Sequence, residues 1–436
     1  MADPGGEGVA DPVGGGAGGR LLAALVAAAP GASAVVVAAR QAGRRVVAVT
    51  GTTAHDRTTA YDGTTAYDGT TAYDGTTAYD GTTAYDGTTA YDGTTAYDGT
   101  TAYDGTTAYD RTTVYDGAGA AAPADRHTRF ELGSVTKTYT ALLLADMAAR
   151  GEVRYTDPIA RFLPRGSVPH DTGGRITLLH LATHTSGLPR LPRGFLRRAV
   201  PRWCANPYAG FGTGDLLAAL ARTRPSPDPG TRVRYSNFGA GLLGLLLARA
   251  AGAEFPDLLA ARVLTPLALY RTGCADDESQ ATGYWHGRPR PSWRIPGLAA
   301  AGAVRSSGDD LLRYLEALLA PDAAADGAPR SLRAALADVA RPRVAVRAGG
   351  DRISLLWNIR RRPGHDVYFH SGGTRGFTSL VGFSPQRDVA LAAVANTSPT
   401  LDGRFIQRAY LALRDLAADP APDGGALGPA ESRTTG

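Results

Sequence analysis

The chain has 436 residues, enough for two or three average domains or for one large domain with insertions. Its 43% hydrophobic residues are ample for a buried core, and no stretch is long and apolar enough to span a membrane. The formal charge of +5 comes without clusters of basic and aromatic residues, which disfavours nucleic-acid binding, and two cysteines are too few for a disulfide scaffold or a metal motif.

The first fifty residues contain a glycine-rich start, an apolar run and two valine-rich segments. Residues 1–19 predict disorder because of their glycine content. Leu21–Ala29 followed by Ala32-Ser33-Ala34 could be a secretory signal, but three acidic residues against one arginine precede it, whereas a signal needs a positive region. We therefore predict a first helix and a cytoplasmic protein that is not exported. Ala34–Ala39 and Arg45–Thr50 predict a β-hairpin.

A hexapeptide repeat, Thr-Thr-Ala-Tyr-Asp-Gly with small variations, fills residues 52–117 in eleven copies. Eleven aspartates against two arginines give it a net charge of −9, which leaves +14 for the remainder of a chain whose total is +5. A solenoid needs an aliphatic residue in each turn, and none larger than alanine occurs before Val114. Asp-Gly favours turns, and Thr and Tyr favour strands. We expect a disordered or weakly β surface insertion without chemistry of its own.

Residues 130–137, Phe-Glu-Leu-Gly-Ser-Val-Thr-Lys, open an apolar helical run that ends at Gly151. Lys137 is the only lysine among 46 basic residues, and a buried lysine, unlike an arginine, can lose its proton and act as a base. Residues three apart on a helix share a face, so Ser134 and Lys137 can meet. The alternative is a chance Ser-x-x-Lys on a solvated helix; the unique lysine favours a catalytic pair.

The region from about 152 to 300 predicts a mainly helical subdomain. Residues 176–189 predict a capped short helix that stops at Gly187. Further helices are predicted at Asp215–Thr223, Gly239–Ala251, Phe255–Val263, Asp309–Leu319 and Ser331–Val339, the last two beyond this region. His180 and His184 have the spacing of a zinc helix but lack the glutamate of that motif, so core packing or local hydrogen bonds are favoured. Gly239–Gly244 matches a dinucleotide fingerprint without the strand or the acidic residue that it requires, so we interpret its glycines as close helix packing.

Four short strands are predicted near the C-terminus, at Ile353–Ile359, Val367–His370, Thr378–Phe383 and Val389–Ala395, followed by a helix at Phe405–Leu416. Strands at both ends of the chain with helices between them predict an α+β fold, an antiparallel sheet flanked by helices. The predicted organisation is one folded domain over residues 20–51 and 118–417, interrupted by the repeat, with a disordered tail over 418–436.

Two further clusters complete a set of groups suited to acyl transfer. Tyr235 lies in a loop before a helix, and residues 369–377, Phe-His-Ser-Gly-Gly-Thr-Arg-Gly-Phe, form a strand edge dense in glycine, which marks close approach of a ligand or another backbone. Acyl transfer needs a nucleophile, proton carriers and oxyanion donors, and Ser134, Lys137, Tyr235 and the N–H groups of Ser134 and Gly373 could supply them. Taken singly, Tyr235 could be a packed tyrosine and His370 a satisfied core histidine.

These motifs, in this order, resemble the serine β-lactamase and penicillin-recognising hydrolase family, in the class C branch with D-alanyl-D-alanine carboxypeptidases and esterases. The resemblance covers about residues 30–50 and 125–412 and also rests on residues 177–189, Tyr235-Ser236-Asn237 and Pro266-Leu267. It implies a three-layer sandwich with an all-helical subdomain, and no metal or organic cofactor. The implied roles are Ser134 as nucleophile, Lys137 and Tyr235 as proton shuttles, Gly373 N–H in the oxyanion hole, and substrate binding by Asn237, His370, Ser371 and Gly372.

The family's third motif is His370-Ser371-Gly372-Gly373 here. Class C β-lactamases carry lysine at the position of His370, whereas the carboxypeptidase and esterase branches often carry histidine there. A histidine there predicts a titration of kcat/KM near neutral pH. We therefore expect a serine hydrolase that cleaves an ester or amide of a small molecule or peptide, with no nucleic-acid or membrane partner. The alternatives are a β-lactamase and a sensor that is acylated without turnover; a repeat-mediated surface protein is disfavoured.

Overall fold

The computed structural model describes residues 17–54, 122–164, 166–168, 175–324, 327–346 and 350–418, together with four short strands between residues 83 and 108. The helices are α1 Ala17–Ala27, α2 Thr136–Ala149, α3 Leu178–Ala182, α4 Phe195–Ala199, α5 Thr213–Ala221, α6 Asn237–Ala251, α7 Phe255–Leu259, α8 Ala299–Gly302, α9 Gly308–Leu319, α10 Arg330–Val339 and α11 Arg404–Ala418. The strands are β1 Ala34–Gln41, β2 Arg44–Gly51, β3 Thr83–Tyr85, β4 Thr89–Tyr91, β5 Ala102–Tyr103, β6 Thr107–Ala108, β7 Phe130–Glu131, β8 Gly283–Trp285, β9 Arg288–Arg290, β10 Arg305–Ser306, β11 Val344–Ala345, β12 Arg352–Ile353, β13 Asn358–Arg362, β14 His365–Gly373, β15 Thr378–Ser384 and β16 Val389–Ala395. Short 3-10 helices include Gly133–Val135, Ile159–Phe162, Val200–Arg202 and Pro296–Leu298, and α7 continues as a π-helix over Ala260–Leu264.

An eight-stranded antiparallel sheet is the centre of the described fold, in the order β11-β12-β13-β14-β15-β16-β1-β2. The predicted N-terminal hairpin is confirmed as β1 and β2, and β1 pairs with β16, with Val36 opposite Val394. The two ends of the chain therefore complete one sheet. The predicted α+β class is confirmed.

Alternating side chains of β1 divide the core into two layers. Val35 and Val37 pack with Leu25 of α1 and Leu413 of α11 on one face of the sheet. Val36 points the other way, into the larger core that contains the buried residues of α2. Each such fully buried aliphatic side chain contributes about 1.5–3 kcal/mol, so this alternation fixes the register of the strand. The sheet is thus covered by helices on both faces.

Helix α1 confirms the first helix predicted at Leu21–Ala29, and it begins earlier, at Ala17. Residues 17–19, predicted to be disordered, are therefore helical. The remaining residues of the predicted disordered ends, 1–16 and 419–436, lie outside the described residues.

Four strands of the hexapeptide repeat are described, and they form two antiparallel pairs. In the first pair Tyr85 lies opposite Thr89, and in the second Tyr103 lies opposite Thr107. In the sequence, an Asp-Gly dipeptide lies between the two strands of each pair. Apart from residues 52–54 and these four strands, the repeat lies outside the described residues.

Two predicted elements are wrong in extent. The single strand expected at Ile353–Ile359 is two antiparallel strands, β12 and β13, joined by a buried turn in which Leu356 has a positive φ of 57°. The Leu356 N–H donates to the Ala182 carbonyl at 2.7 Å, so the apolar run is buried as a turn against the helical region. The helix expected to stop at Gly187 ends at Ala182, because His184 has a φ of 58°, which no α-helix accommodates.

The strands described between residues 152 and 300 are β8 and β9, and the remaining elements there are helices. Gly241 and Gly244 of α6 confirm the predicted close packing, since an added Cβ would lie 2.3 Å from Leu298 and 2.1 Å from Ala300. No single helix among the described residues is long and apolar enough to cross a bilayer, although α6 and the segment Phe255–Leu264, bent by 79°, pass that test together.

Candidate active site

The 3-10 turn Gly133–Val135 holds Ser134 directly before α2, the helix with the most thoroughly buried residues of the larger core. Ser134 itself is half-buried, whereas Lys137, one turn later, has no exposed surface. The sequence spacing therefore places a reachable hydroxyl over a buried amine, as predicted.

Two side chains converge on the Ser134 hydroxyl. Lys137 Nζ lies 2.8 Å from Ser134 Oγ, and the Tyr235 hydroxyl donates to the same oxygen at 2.7 Å. Lys137 Nζ also donates to the Ala301 carbonyl of α8 at 2.6 Å. The amine is thus fixed between one carbonyl and the serine, with a hydrogen-bond geometry that allows proton transfer.

Burial shifts the pKa values of the two partners of Ser134 in opposite directions. It holds the pKa of Lys137 well below its usual range, with a smaller contribution from the Arg190 guanidinium. It raises the pKa of Tyr235 to about 12, against the opposing effects of the Ser134 hydrogen bond and Arg190. Lys137 is therefore the group suited to accept a proton, and Tyr235 the group suited to hold one and donate it.

His184 fixes the loop that carries Tyr235. Its carbonyl accepts from the Arg234 N–H at 2.7 Å, its Nδ1 accepts from the Ser236 N–H at 3.3 Å, and its ring centroid lies 4.7 Å from that of Tyr235. The two backbone groups that flank Tyr235 are thus both held by one buried residue. His180 makes a local hydrogen bond, accepting from the Thr177 N–H, and His184 is packed in the core, so the interpretation of these histidines as core-packing or locally hydrogen-bonded residues is confirmed.

Strand β14 passes so close to the Ser134 turn that only glycine fits. A Cβ on Gly372 would lie 2.0 Å from the Leu132 carbonyl oxygen and 3.0 Å from Ser134 N, and a Cβ on Gly133 would lie 2.7 Å from Gly373 N. The predicted close backbone approach is confirmed. It brings the Gly373 amide beside the turn that carries the Ser134 amide.

The variant Gly372→Ala tests whether the close packing of β14 against the Ser134 turn positions the serine. We expect kcat/KM for any substrate to fall at least about 10²-fold, because the new methyl must displace the turn that positions Ser134, and a misplacement near 1 Å has an effect of that order. Gly214→Ala, where an added Cβ meets nothing within 4 Å, is the matched control. Steady-state rates for both variants check the prediction; equal activity in the two would mean that the close approach does not position the serine.

His370 does not meet the expectation of a titration near neutral pH. It is buried, with 3% of its surface exposed, and burial, together with the charge of Lys137, lowers its pKa to about 3. Its Nδ1 lies 2.8 Å from the Ser371 carbonyl, which fixes the proton on that nitrogen. The sequence identifies a histidine at this position, but it does not show that the side chain is buried. His370 is neutral at neutral pH and cannot attract a carboxylate as an imidazolium.

The depressed pKa of His370 predicts an acid-dependent loss of stability. The unfolded histidine binds a proton near pH ~6.5 and the folded one only near pH 3, so its contribution is complete above pH ~6.5 and is lost as the pH falls toward 3. His370→Asn, which keeps a donor for the Ser371 carbonyl, should therefore lose less unfolding free energy than the wild type between pH 7 and 4.5. The expected difference is about 2–3 kcal/mol.

Urea unfolding at the two pH values measures this difference, with His286→Asn, at an exposed histidine, as the control. Equal losses in the wild type and His370→Asn would show that His370 is protonated in the folded protein.

Two of the predicted substrate-binding residues, Asn237 and Ser371, lie at the start of α6 and on β14. Asn237 Nδ2 donates to the Tyr208 hydroxyl at 3.4 Å, and its buried Oδ1 has no hydrogen-bond partner in the described part of the chain. Ser371 lies on β14 opposite Leu380, half-buried, and its side chain has no hydrogen bond there. The structure brings together Ser134, Lys137, Tyr235 and the glycine backbone, and among the described residues neither Asn237 nor Ser371 has a hydrogen bond to Ser134.

Three residues near the site were not found from the sequence. Glu131, fully buried, accepts from the Thr374 hydroxyl at 2.7 Å and so anchors the residue after Gly373. Arg190 lies over the Tyr235 ring, 5.1 Å from its centroid, and Arg375 stacks on two indole rings. Neither arginine has a carboxylate within ion-pair distance among the residues described. Their only signal in the sequence is adjacency to the motifs, which does not distinguish them from other arginines.

A metal centre has no support in the described ranges, where no group of three or more His, Cys, Asp or Glu side chains could hold an ion.

Comparisons with known proteins place this geometry in context. The model of the family described as Beta-lactamase matches residues 100–416. A "Beta-lactamase" of Escherichia coli (strain K12) is 34% identical over 205 residues, 46% of this chain and 50% of its own length. "D-alanyl-D-alanine-carboxypeptidase/endopeptidase AmpH" of the same organism is 30% identical over 285 residues, 62% of this chain and 71% of its own length.

A solved structure titled "A class C beta-lactamase" has a TM-score of 0.67 at 17% identity, covering 93% of this chain and 99% of that one. This confirms the three-layer fold with its helical region. The chain spans about half the length of the first curated β-lactamases that it matches, at 50% and 53%.

Proposed function

Because this chain belongs to the beta-lactamase family, we propose that it is a serine hydrolase, cleaving an ester or amide through an acyl-enzyme on Ser134. The observation that carries the proposal is the convergence of Lys137 Nζ and the Tyr235 hydroxyl on Ser134 Oγ, within 2.8 Å and 2.7 Å. A serine is a weak nucleophile unless a neighbouring base accepts its proton, and this arrangement supplies one.

In the first half-reaction Ser134 Oγ bonds to the substrate carbonyl carbon as its proton passes to the neutral Lys137 amine. The negative charge on the carbonyl oxygen would be stabilised by the Ser134 and Gly373 N–H groups, and each such donor is worth about 10²–10³-fold in kcat. The bond to the leaving group then breaks as Tyr235 gives that group a proton. The Lys137 ammonium restores the Tyr235 proton through the same hydrogen-bonded cluster.

In the second half-reaction water replaces the leaving group. Its proton passes to the Lys137 and Tyr235 cluster as its oxygen bonds to the acyl carbon. The ester bond to Ser134 then breaks, Ser134 Oγ regains a proton, and the acid product leaves. Lys137 and Tyr235 thus carry protons in both half-reactions, and in the second half-reaction the proton returns to Ser134 instead of leaving it.

The neutral, buried His370 favours carboxypeptidase-like or esterase activity, because the third motif carries no fixed positive charge. A second candidate is β-lactam hydrolysis. It is favoured by Arg190 and Arg375, two cations beside Tyr235 and Tyr208 that could attract a substrate carboxylate, and by the β-lactamase names of the relatives.

The test is a panel of p-nitrophenyl esters, nitrocefin and D-Ala-D-Ala peptides with the purified full chain. Steady turnover of an ester or peptide faster than nitrocefin supports the proposal, and the reverse order supports a β-lactamase. A burst of one equivalent with no steady state would indicate a sensor that is acylated without turnover, and no reaction with any of the three would contradict a hydrolase.

A further inference from the structure

Residues 190–203, called here the basic segment, carry five arginines and no acidic residue. Helix α4 continues directly into the 3-10 turn Val200–Arg202, so residues 195–202 form one helical run. The segment lies in the helical region and has no catalytic group of its own. Its composition differs from the mixed charge of the rest of the surface.

One face of the basic segment exposes large apolar side chains. Leu196, Val200 and Trp203 are exposed by 59%, 66% and 46%. They are three of the seven large hydrophobic side chains exposed in the described residues, and their spacing of four and then three places them on one helical face. Surfaces that contact only water rarely carry a cluster of large apolar side chains. Three such side chains within eight residues therefore indicate an interaction site.

The opposite face holds the segment rigidly. Phe195 and Ala199 are buried, with 2% and 0% exposed, and the Phe195 ring centroid lies 4.6 Å from that of Tyr208 and 5.6 Å from that of Phe211. The apolar face is therefore not a loose end of a helix that could fold inward. It is presented outward by an anchored element.

A positively charged cavity adjoins the apolar face. It has a volume of about 300 Å³ and is lined by Arg193, Gly194, Arg197, Arg198, Phe211, Asp215 and Arg222. Asp215 pairs with Arg198 at 2.7 Å, and the other three arginines have no carboxylate within ion-pair distance in the described chain. A net charge of +3 around an open cavity suits a phosphate-sized anion.

We propose that the basic segment is a peripheral membrane-docking surface, in which Leu196, Val200 and Trp203 enter the interface of a bilayer and the arginine-lined cavity holds an anionic phospholipid headgroup. Exposed aliphatic and tryptophan side chains flanked by arginine are the features that bind helical elements in the plane of a membrane interface. A nucleic acid or an acidic protein would match the arginines but would leave the exposed aliphatic side chains without a partner. This proposal replaces the expectation, drawn from the sequence, that the chain has no membrane partner.

The surface adjoins the candidate active site at both of its ends. Arg190 lies over the Tyr235 ring, and Trp203 stacks with Arg375, two residues beyond Gly373, with the guanidinium carbon 4.9 Å from the ring centroid. Docking would therefore bring the site close to the bilayer surface. The docking itself does not depend on which substrate the site cleaves.

Vesicle sedimentation of the full chain tests the proposal, with phosphatidylcholine vesicles and with vesicles containing 30% phosphatidylglycerol. We expect binding to the anionic vesicles that weakens as salt is added, and at least tenfold weaker binding to phosphatidylcholine alone. Leu196→Ser/Val200→Ser should weaken binding about tenfold. Arg193→Gln/Arg197→Gln should weaken it roughly twenty-five-fold, since each arginine near an anionic surface contributes about fivefold.

Leu401→Ser/Arg387→Gln, which removes the same kinds of exposed side chain elsewhere, is the matched control and should bind as the wild type does. All variants should keep the wild-type thermal midpoint and hydrolysis of a soluble ester, which separates lost docking from lost folding. Binding that is absent, or unchanged in both test variants, or equally reduced in the control would overturn the proposal. Binding to heparin or DNA without vesicle binding would assign the arginines to a polyanion instead.

Discussion

Ser134→Ala is expected to lower kcat/KM for every substrate of this protein by about 10⁴-fold or more and to abolish covalent labelling by a fluorophosphonate. The hydroxyl is the one group in contact with both the buried amine and the phenol, so its loss removes covalent catalysis and the function of both proton carriers together. Only oxyanion stabilisation and substrate binding would remain. Initial rates with a p-nitrophenyl ester measure the effect.

Ser354→Ala provides the control, since Ser354 is also buried and its hydroxyl has no hydrogen-bond partner in the described residues. We expect that variant to hydrolyse the ester at close to the wild-type rate. If Ser134→Ala retained a tenth of the wild-type activity, the nucleophile would have to be another residue.

Lys137→Arg is expected to reduce kcat by about 10²–10⁴-fold, the usual contribution of a positioned proton carrier. Arginine keeps the positive charge but cannot lose its proton in a protein, whereas burial holds the pKa of Lys137 well below its usual range. The pH dependence of kcat/KM and of kcat, measured on the wild type and the variant with the same ester, checks the prediction. A variant with wild-type kcat would show that Lys137 acts only as a fixed charge.

A second variant separates lost chemistry from lost folding, because arginine places a larger charged group in a site with no exposed surface. Lys137→Met removes the charge and keeps the length of the side chain. Since the folded protein disfavours the ammonium form, we expect its thermal midpoint to be no lower than that of the wild type, while its activity is lost. An active Lys137→Met variant would exclude the amine from proton transfer.

The parts of the structure set by local pattern were predictable from the sequence. Val389–Ala395 was predicted with the bounds that it has as β16, because an apolar run between turn signals has few alternatives. The Ser134 and Lys137 pair was found because one lysine stands among 45 arginines. The glycine-dense stretch 369–377 was identified as a place of close approach because glycine within a strand often marks one, and Gly372 lies at that approach.

The parts set by tertiary contact were not predictable. The turn at Leu356 is stabilised by a hydrogen bond to the Ala182 carbonyl, 174 positions earlier in the chain, which no local pattern records. The burial of His370, and so its neutral state, depends on the packing of β14 beneath Tyr235. The support that His184 gives to the Tyr235 loop likewise joins residues about fifty positions apart.

Locating the covalent adduct is the most direct test of Ser134 as the nucleophile. The purified 436-residue chain is treated with a fluorophosphonate or a penicillin, quenched, digested and analysed by mass spectrometry, and Ser134→Ala is treated in parallel. We expect one adduct per chain, on Ser134, in the wild type and none in the variant. An adduct on another residue, or undiminished labelling of Ser134→Ala, would contradict it.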